Sequence, residues 1–115
     1  VGFDNNNIST TEATLSSYTI TVPGKYLVFA FADFNLGGHD VGDAYFRINK
    51  NTSILASTYF NNPQNTYFFG GTTLFAYNQF SAGDMVKVVA KTARNTMGVA
   101  SNSGRSRLLV VYIGQ

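Results

Sequence analysis

In the run Lys25-Tyr26-Leu27-Val28-Phe29-Ala30-Phe31-Ala32, an extended chain is apolar on both sides. Successive side chains of a strand point to opposite faces. Tyr26, Val28, Ala30 and Ala32 therefore share one face, and Leu27, Phe29 and Phe31 share the other. The closing segment Leu108-Leu109-Val110-Val111-Tyr112-Ile113 has the same character. An antiparallel sandwich buries one face of each sheet and leaves the second face to be polar. At roughly 25 cal/mol per Å², three large side chains left in water forgo several kcal/mol. Something must cover them. The chain offers no helix to do so, and another subunit is the expected cover. A long loop folded over these strands, or a place at the centre of a barrel, are the alternatives.

Elsewhere the period is two. Tyr18-Thr19-Ile20-Thr21-Val22 alternates apolar residues with Thr, which predicts a strand with Tyr18, Ile20 and Val22 inward. In Met85–Lys91 the inward residues are Val86, Val88 and Ala90, with Lys87 and Lys91 outward. Ala44, Phe46 and Ile48 likewise oppose Tyr45, Arg47 and Asn49. No stretch carries the stripe of an amphipathic helix. Turn signals at Pro23-Gly24, Asn35–Gly38, Asn49–Asn51, Asn61–Pro63, Ser81–Asp84 and Ser101–Gly104 separate the runs. Strands are expected over 16–22, 25–34, 44–49, 53–60, 66–80 with a break at Gly70-Gly71, 85–92 and 106–113, with a further short one near the N-terminus. This is an all-β chain, a two-sheet antiparallel sandwich, and residues 1–115 read as one domain without linker or repeat.

Composition narrows the chemistry. The net charge of +2 comes from scattered Lys and Arg, which disfavours a nucleic-acid partner, since phosphate neutralisation needs a clustered basic surface. Apolar runs are far shorter than the ~18 residues that cross a bilayer as a helix, so no membrane insertion is expected. With no Cys, disulfides, thiolate zinc sites and cysteine nucleophiles are absent together. The absence of Met before Val1 hints at excision from a longer chain.

Four segments, in order, resemble a known family. Val22-Pro23-Gly24-Lys25-Tyr26 before an apolar strand is similar to the Pro-Gly-x-Tyr segment of the C1q/TNF-like jelly roll. Phe46–Asn51 resembles its next strand and turn, and Phe80-Ser81-Ala82-Gly83-Asp84-Met85-Val86-Lys87-Val88 resembles its Ala-Gly-Asp hairpin. Ser106–Tyr112 is similar to the closing strand. The chain departs from the family in having Val28 and Ala30 where aromatics are usual, and in lacking Trp, which points to a distant bacterial, phage or viral member. The resemblance implies a two-sheet jelly roll of about ten strands. It further implies a homotrimer, with the two doubly apolar strands against the threefold axis. Leu27, Phe29, Phe31, Leu109, Val111 and Tyr112 are then the expected trimer-interface residues.

Candidate binding groups lie in loops. Tyr59, Asn61, Asn62, Gln64 and Tyr67 combine aromatic rings with amides, a mixture suited to stacking on sugars and hydrogen bonding their hydroxyls. Arg94 and Arg105 could meet an anionic group. His39, Asp40 and Asp43, among glycines, could hold a divalent cation, the one candidate cofactor, although their spacing matches no known cation loop. No catalytic residues are expected: one His and no Gly-x-Ser-x-Gly elbow give no basis for a hydrolytic triad. The expected function is a non-enzymatic homotrimeric head of a fibre or stalk, at a cell or virion surface, binding a protein or glycan through loops 35–43, 61–66 and 93–105. A purely structural trimerisation or capping domain, and a carbohydrate-binding module, are the alternatives.

Overall fold

Among the described residues the alternating runs form nine strands, β1 (Asn5–Ile8), β2 (Ala13–Thr19), β3 (Gly24–Asn35), β4 (Asp43–Lys50), β5 (Ser53–Asn61), β6 (Phe69–Phe80), β7 (Met85–Lys91), β8 (Met97–Val99) and β9 (Arg107–Gly114). The computed structural model describes residues 2–3, 5–35, 41–61, 69–99 and 106–115, none of them helical. All pairings are antiparallel, in two sheets. One sheet has four strands in the order β2-β7-β4-β5; the other has five, in the order β1-β8-β3-β6 with β9 beside β3. β9 lines residues 25–31 of β3, and β8 takes over at Phe34 and Asn35.

Four of the pairings are nested along the chain: β4 with β5, β3 with β6, β2 with β7 and β1 with β8. The connectivity is that of one long hairpin rolled up on itself. Closing it needs few tight turns, and the chain supplies them. At one end, Asn51 adopts a left-handed conformation (φ 54°) that Asn tolerates better than most residues. Its Nδ2 donates to Asp84 Oδ1 at 3.0 Å, and its Oδ1 accepts from the Met85 amide at 2.9 Å. Asp84 Oδ2 in turn accepts the Ser81 amide at 2.8 Å. The β4–β5 turn and the Ala82-Gly83-Asp84 turn are thereby tied together.

The inner faces make one core. Along β3 the burial alternates strictly, with Tyr26, Val28, Ala30, Ala32 and Phe34 buried and the intervening side chains only half-buried. Ala44, Phe46 and Ile48 of β4 and Val86, Val88 and Ala90 of β7 meet them from the other sheet. Phe46 is fully buried and meets Phe34 edge-on, with ring centroids 5.3 Å apart. Phe3 and Ile8 close one side from the N-terminal segment.

Three local expectations are corrected. Strand β2 runs over 13–19, not 16–22, and of Tyr18, Ile20 and Val22 only Ile20 is buried. The reason lies at the corner: Ile20 leaves the ladder to bond the other turn, donating to Asp84 O and accepting from the Gly83 amide, both at 2.8 Å. Val22 then stands at the corner, half exposed, its carbonyl accepting the Tyr26 hydroxyl at 2.6 Å. Gly70-Gly71 does not interrupt β6, because both pair in register with Phe34 and Asp33. The short strand β8 lies in a segment expected to be loop.

Gly24 opens β3 with φ +153°, and a Cβ built there would lie 2.7 Å from the Gly114 carbonyl oxygen and 2.6 Å from the Tyr112 ring. Gly83 has φ +93° but open space around it. Gly24→Ala should therefore cost about 2–4 kcal/mol, strain plus a backbone clash, against about 1 kcal/mol for Gly83→Ala. Urea unfolding of the two variants checks this; equal losses would contradict the packing described here.

Candidate functional site

Two outer faces remain, and they differ in kind. On the five-stranded sheet, directly paired residues share a face, so the rows read across β6, β3 and β9. Tyr77–Leu27–Val111 and Phe75–Phe29–Leu109 form its centre. Ile113 extends it along β9. Phe75 is 52% exposed, Tyr77 53%, Leu109 43% and Ile113 47%, an apolar patch without cover from the described residues. The rings interlock: Phe29 stacks parallel to Phe31, with centroids 6.2 Å apart, and lies 5.2 Å from Phe75. Polar residues close both ends of the patch. Lys25 and Gln79 pair at one end, and Arg107, paired with Phe31 beside Thr73, stands at the other. The Arg107 guanidinium sits 5.3 Å from the Phe31 ring centre. An open cleft of about 440 Å³ continues from this end, bounded by Phe31, Asp33, Gly71, Thr73 and Arg107.

Of the six residues expected at an interface, Leu27, Phe29, Phe31, Leu109 and Val111 lie on this face. Tyr112 does not. It pairs with Tyr26 and turns to the same side as that core residue, with ring centroids 5.2 Å apart. Period-two counting from Val111 places it there; grouping it with its apolar neighbours overlooked the parity.

The outer face of the four-stranded sheet is polar and aromatic. β4 contributes Tyr45 and Arg47, and β5 sets Tyr59 opposite Tyr45 and Ser57 opposite Arg47. The Arg47 guanidinium lies over the Tyr45 ring, 3.6 Å from its centroid. Its Nε donates to Ser57 Oγ at 3.0 Å and its Nη2 to Tyr59 Oη at 2.5 Å. The Tyr45 hydroxyl donates to Glu12 Oε2 from the segment before β2. Tyr59 itself is 63% exposed. Beneath Arg47, Val89 of β7 is buried on this outer side, apart from the main core.

The two phenols are pushed in opposite directions. Desolvation, then the hydrogen bond to Glu12, raises Tyr45 to about 12. The hydrogen bond from Arg47 favours the phenolate of Tyr59 and lowers it below its ordinary value.

Of the expected ligand residues, Tyr59 belongs to this cluster and Asn61 ends β5 opposite Asp43. Arg94 follows β7, its amide bonded to Val41 O at 3.1 Å, near Gly42. Asn62, Gln64, Tyr67 and Arg105 lie outside the described residues, as do His39 and Asp40 of the expected cation site. Asp43 is exposed at the start of β4, and no group of three His, Cys, Asp or Glu gathers among the described residues. The strand ends leading into 36–40 and 62–68 do meet at one end of the sandwich, where Asn35 pairs with Phe69 and Asp43 with Asn61.

The sequence reading did not group Glu12, Tyr45 and Arg47 with Tyr59. The signal available was the tight β4–β5 hairpin, whose turn at Asn51 sets Tyr45 against Tyr59 once the register is counted back. Nothing local pointed to Glu12. Comparison with known proteins finds no family model that matches the chain and no curated protein that resembles it in sequence.

Because the shifts of Tyr45 and Tyr59 have distinct causes, residue-resolved NMR titration of their rings should show Tyr59 ionising below 10 and Tyr45 near 12. The unfolded chain ionises both near 10, so Tyr45 withdraws stability as pH rises from 10 towards 12. Tyr59 works the other way: it adds stability as pH rises from its lowered value towards 10. Arg47→Gln should move Tyr59 back up, as read by ring resonances; an unmoved Tyr59 would contradict the assigned cause.

Proposed function

We propose that this chain is the head domain of a homotrimer, a non-enzymatic recognition module carried at the end of a fibre or stalk on a cell or virion surface. The observation that carries the reading is the apolar outer face of β6, β3 and β9. A folded sheet that presents Phe29, Phe75, Tyr77, Leu109 and Val111 together resembles a domain core cut in half, the composition of permanent homo-oligomer interfaces. Lys25, Gln79, Thr73 and Arg107 around it supply the polar rim such interfaces carry. Among the described residues the opposite sheet shows no such cluster, only Ile54 and Tyr59 standing apart, so assembly through one face leaves the other outside.

The nested pairing supports a jelly roll. Two sheets made from a single rolled hairpin are what two Greek keys produce. The sequence resemblance to C1q/TNF-like domains is the ground for three copies rather than two. A binding role suits a chain with one His and no Cys, in which the ends of β3, β4, β5 and β6 at Asn35, Asp43, Asn61 and Phe69 gather at one end of the sandwich.

Light scattering at micromolar concentration should give three times the 12.5 kDa chain mass. Phe75 is half exposed in the single chain, so Phe75→Lys should alter the stability of the fold by less than about 1 kcal/mol. Set into a closed apolar interface, the same charge should reduce the mass to that of one chain. A wild-type monomer, or a Phe75→Lys variant that still assembles, contradicts the proposal.

A further inference from the structure

The Tyr45–Arg47–Tyr59 cluster is too ordered for a merely solvated face. We infer that it is a binding site for an acidic sugar, a saccharide bearing a carboxylate, on the outer face of the four-stranded sheet. The inference deepens the recognition role proposed above and rests on it in one respect: that sheet must stay outside the assembly.

The first argument is preorganisation. An exposed Arg on a strand ordinarily samples many rotamers, and fixing it on binding costs affinity. Here the guanidinium is already held flat over Tyr45 by that ring, by Ser57 Oγ and by Tyr59 Oη. Those two hydrogen bonds use Nε–H and one Nη2–H of the five N–H groups. The two Nη1 donors and the second Nη2 donor keep no partner among the described residues. A pair of them, one on each Nη, matches the two oxygens of a carboxylate in parallel bonds.

The second argument is charge. β7 places Lys91 opposite Tyr45 and Lys87 opposite Asn49, on the same outer side as Arg47. They stand four residues apart, roughly 13 Å along the strand, with Arg47 between them on the adjacent strand. Neither lysine forms an ion pair among the described residues, where the one salt bridge is Lys50–Asp84. Two carboxylates stand against these three cations: Glu12, which accepts the Tyr45 hydroxyl, and Asp43, exposed two residues before Tyr45 on the same side of β4. The face is therefore biased towards an anion at its middle.

The third argument separates a sugar from other anions and from a protein. The Tyr59 ring is 63% exposed beside Arg47, an apolar plane on which the C–H face of a pyranose can stack while its carboxylate reaches the guanidinium. A bare inorganic anion has no use for that ring. A protein partner needs an apolar centre of greater extent, whereas Val89 is already buried and Ile54, opposite Asn49 near the hairpin turn, is a single exposed aliphatic. Three cations without a run are too few for a nucleic acid.

The test uses the whole chain in its assembled form. Sialyllactose is titrated by NMR or calorimetry, with lactose and sodium phosphate as parallel probes and the solution mass recorded on the same samples. The expected result is saturable sialyllactose binding at least tenfold tighter than lactose or phosphate. Tyr59→Ala and Arg47→Gln should each weaken it tenfold or more, and Arg47→Lys, which keeps the charge but loses the paired donors, should not restore it. Circular dichroism confirms that these surface variants fold. No saturable binding, equal binding of lactose, equal binding of phosphate, or binding indifferent to both substitutions overturns the site. An intact trimer that ignores the sugar removes this inference alone; a monomer that binds it removes the assembly and keeps the site.

Discussion

Strand β3 must satisfy two apolar faces at once, and the rest of the architecture follows from that demand. Its even-numbered side chains fill the space between the sheets, where Val28 and Ala30 are completely buried. Its odd-numbered side chains need a second cover. β6 and β9 lie on either side of it and carry the same excess outward, so the demand is spread across three neighbouring strands instead of being relieved by them. At roughly 25 cal/mol per Å², the outer face represents a driving force for association that no polar rearrangement of the same chain can replace.

The two sheets consequently divide the work. One carries an apolar outer face composed like an interior, the ground of the proposed assembly. The other follows the ordinary rule of an antiparallel sheet, apolar inward and polar outward. On that polar side Arg47 forms no salt bridge among the described residues: it lies between two tyrosines, beside Val89 on the next strand, and its charge is held by phenolic and hydroxyl acceptors. An ordered cation beside an exposed ring is the ground on which the saccharide site is proposed.

Much of this was legible in the residues. The alternation in β4 and β7 fixed which side faces inward, and the double apolar character of β3 and β9 marked the unusual face before any pairing was known. What failed did so where chain direction depends on distant groups. Tyr18-Thr19-Ile20-Thr21-Val22 has strand periodicity, yet Ile20 is drawn into the turn at Gly83-Asp84, a contact across more than sixty positions that periodicity cannot register. Gly70-Gly71 looked like a break, but strand partners on β3 held it extended. The Arg47 cluster was half visible: hairpin register brings Tyr45 to Tyr59, whereas Glu12 arrives from the other edge of the sheet by tertiary packing alone.

Hydroxyl-radical footprinting of the native chain at micromolar concentration, read residue by residue, tests the central claim most directly. Phe29, Phe75, Leu109 and Val111 should be protected well beyond their exposure in the single chain, while Tyr59 and Val22 label freely. Labelling of Phe75 and Leu109 as strong as that of Tyr59 would show the apolar face open to water, and the account would fall.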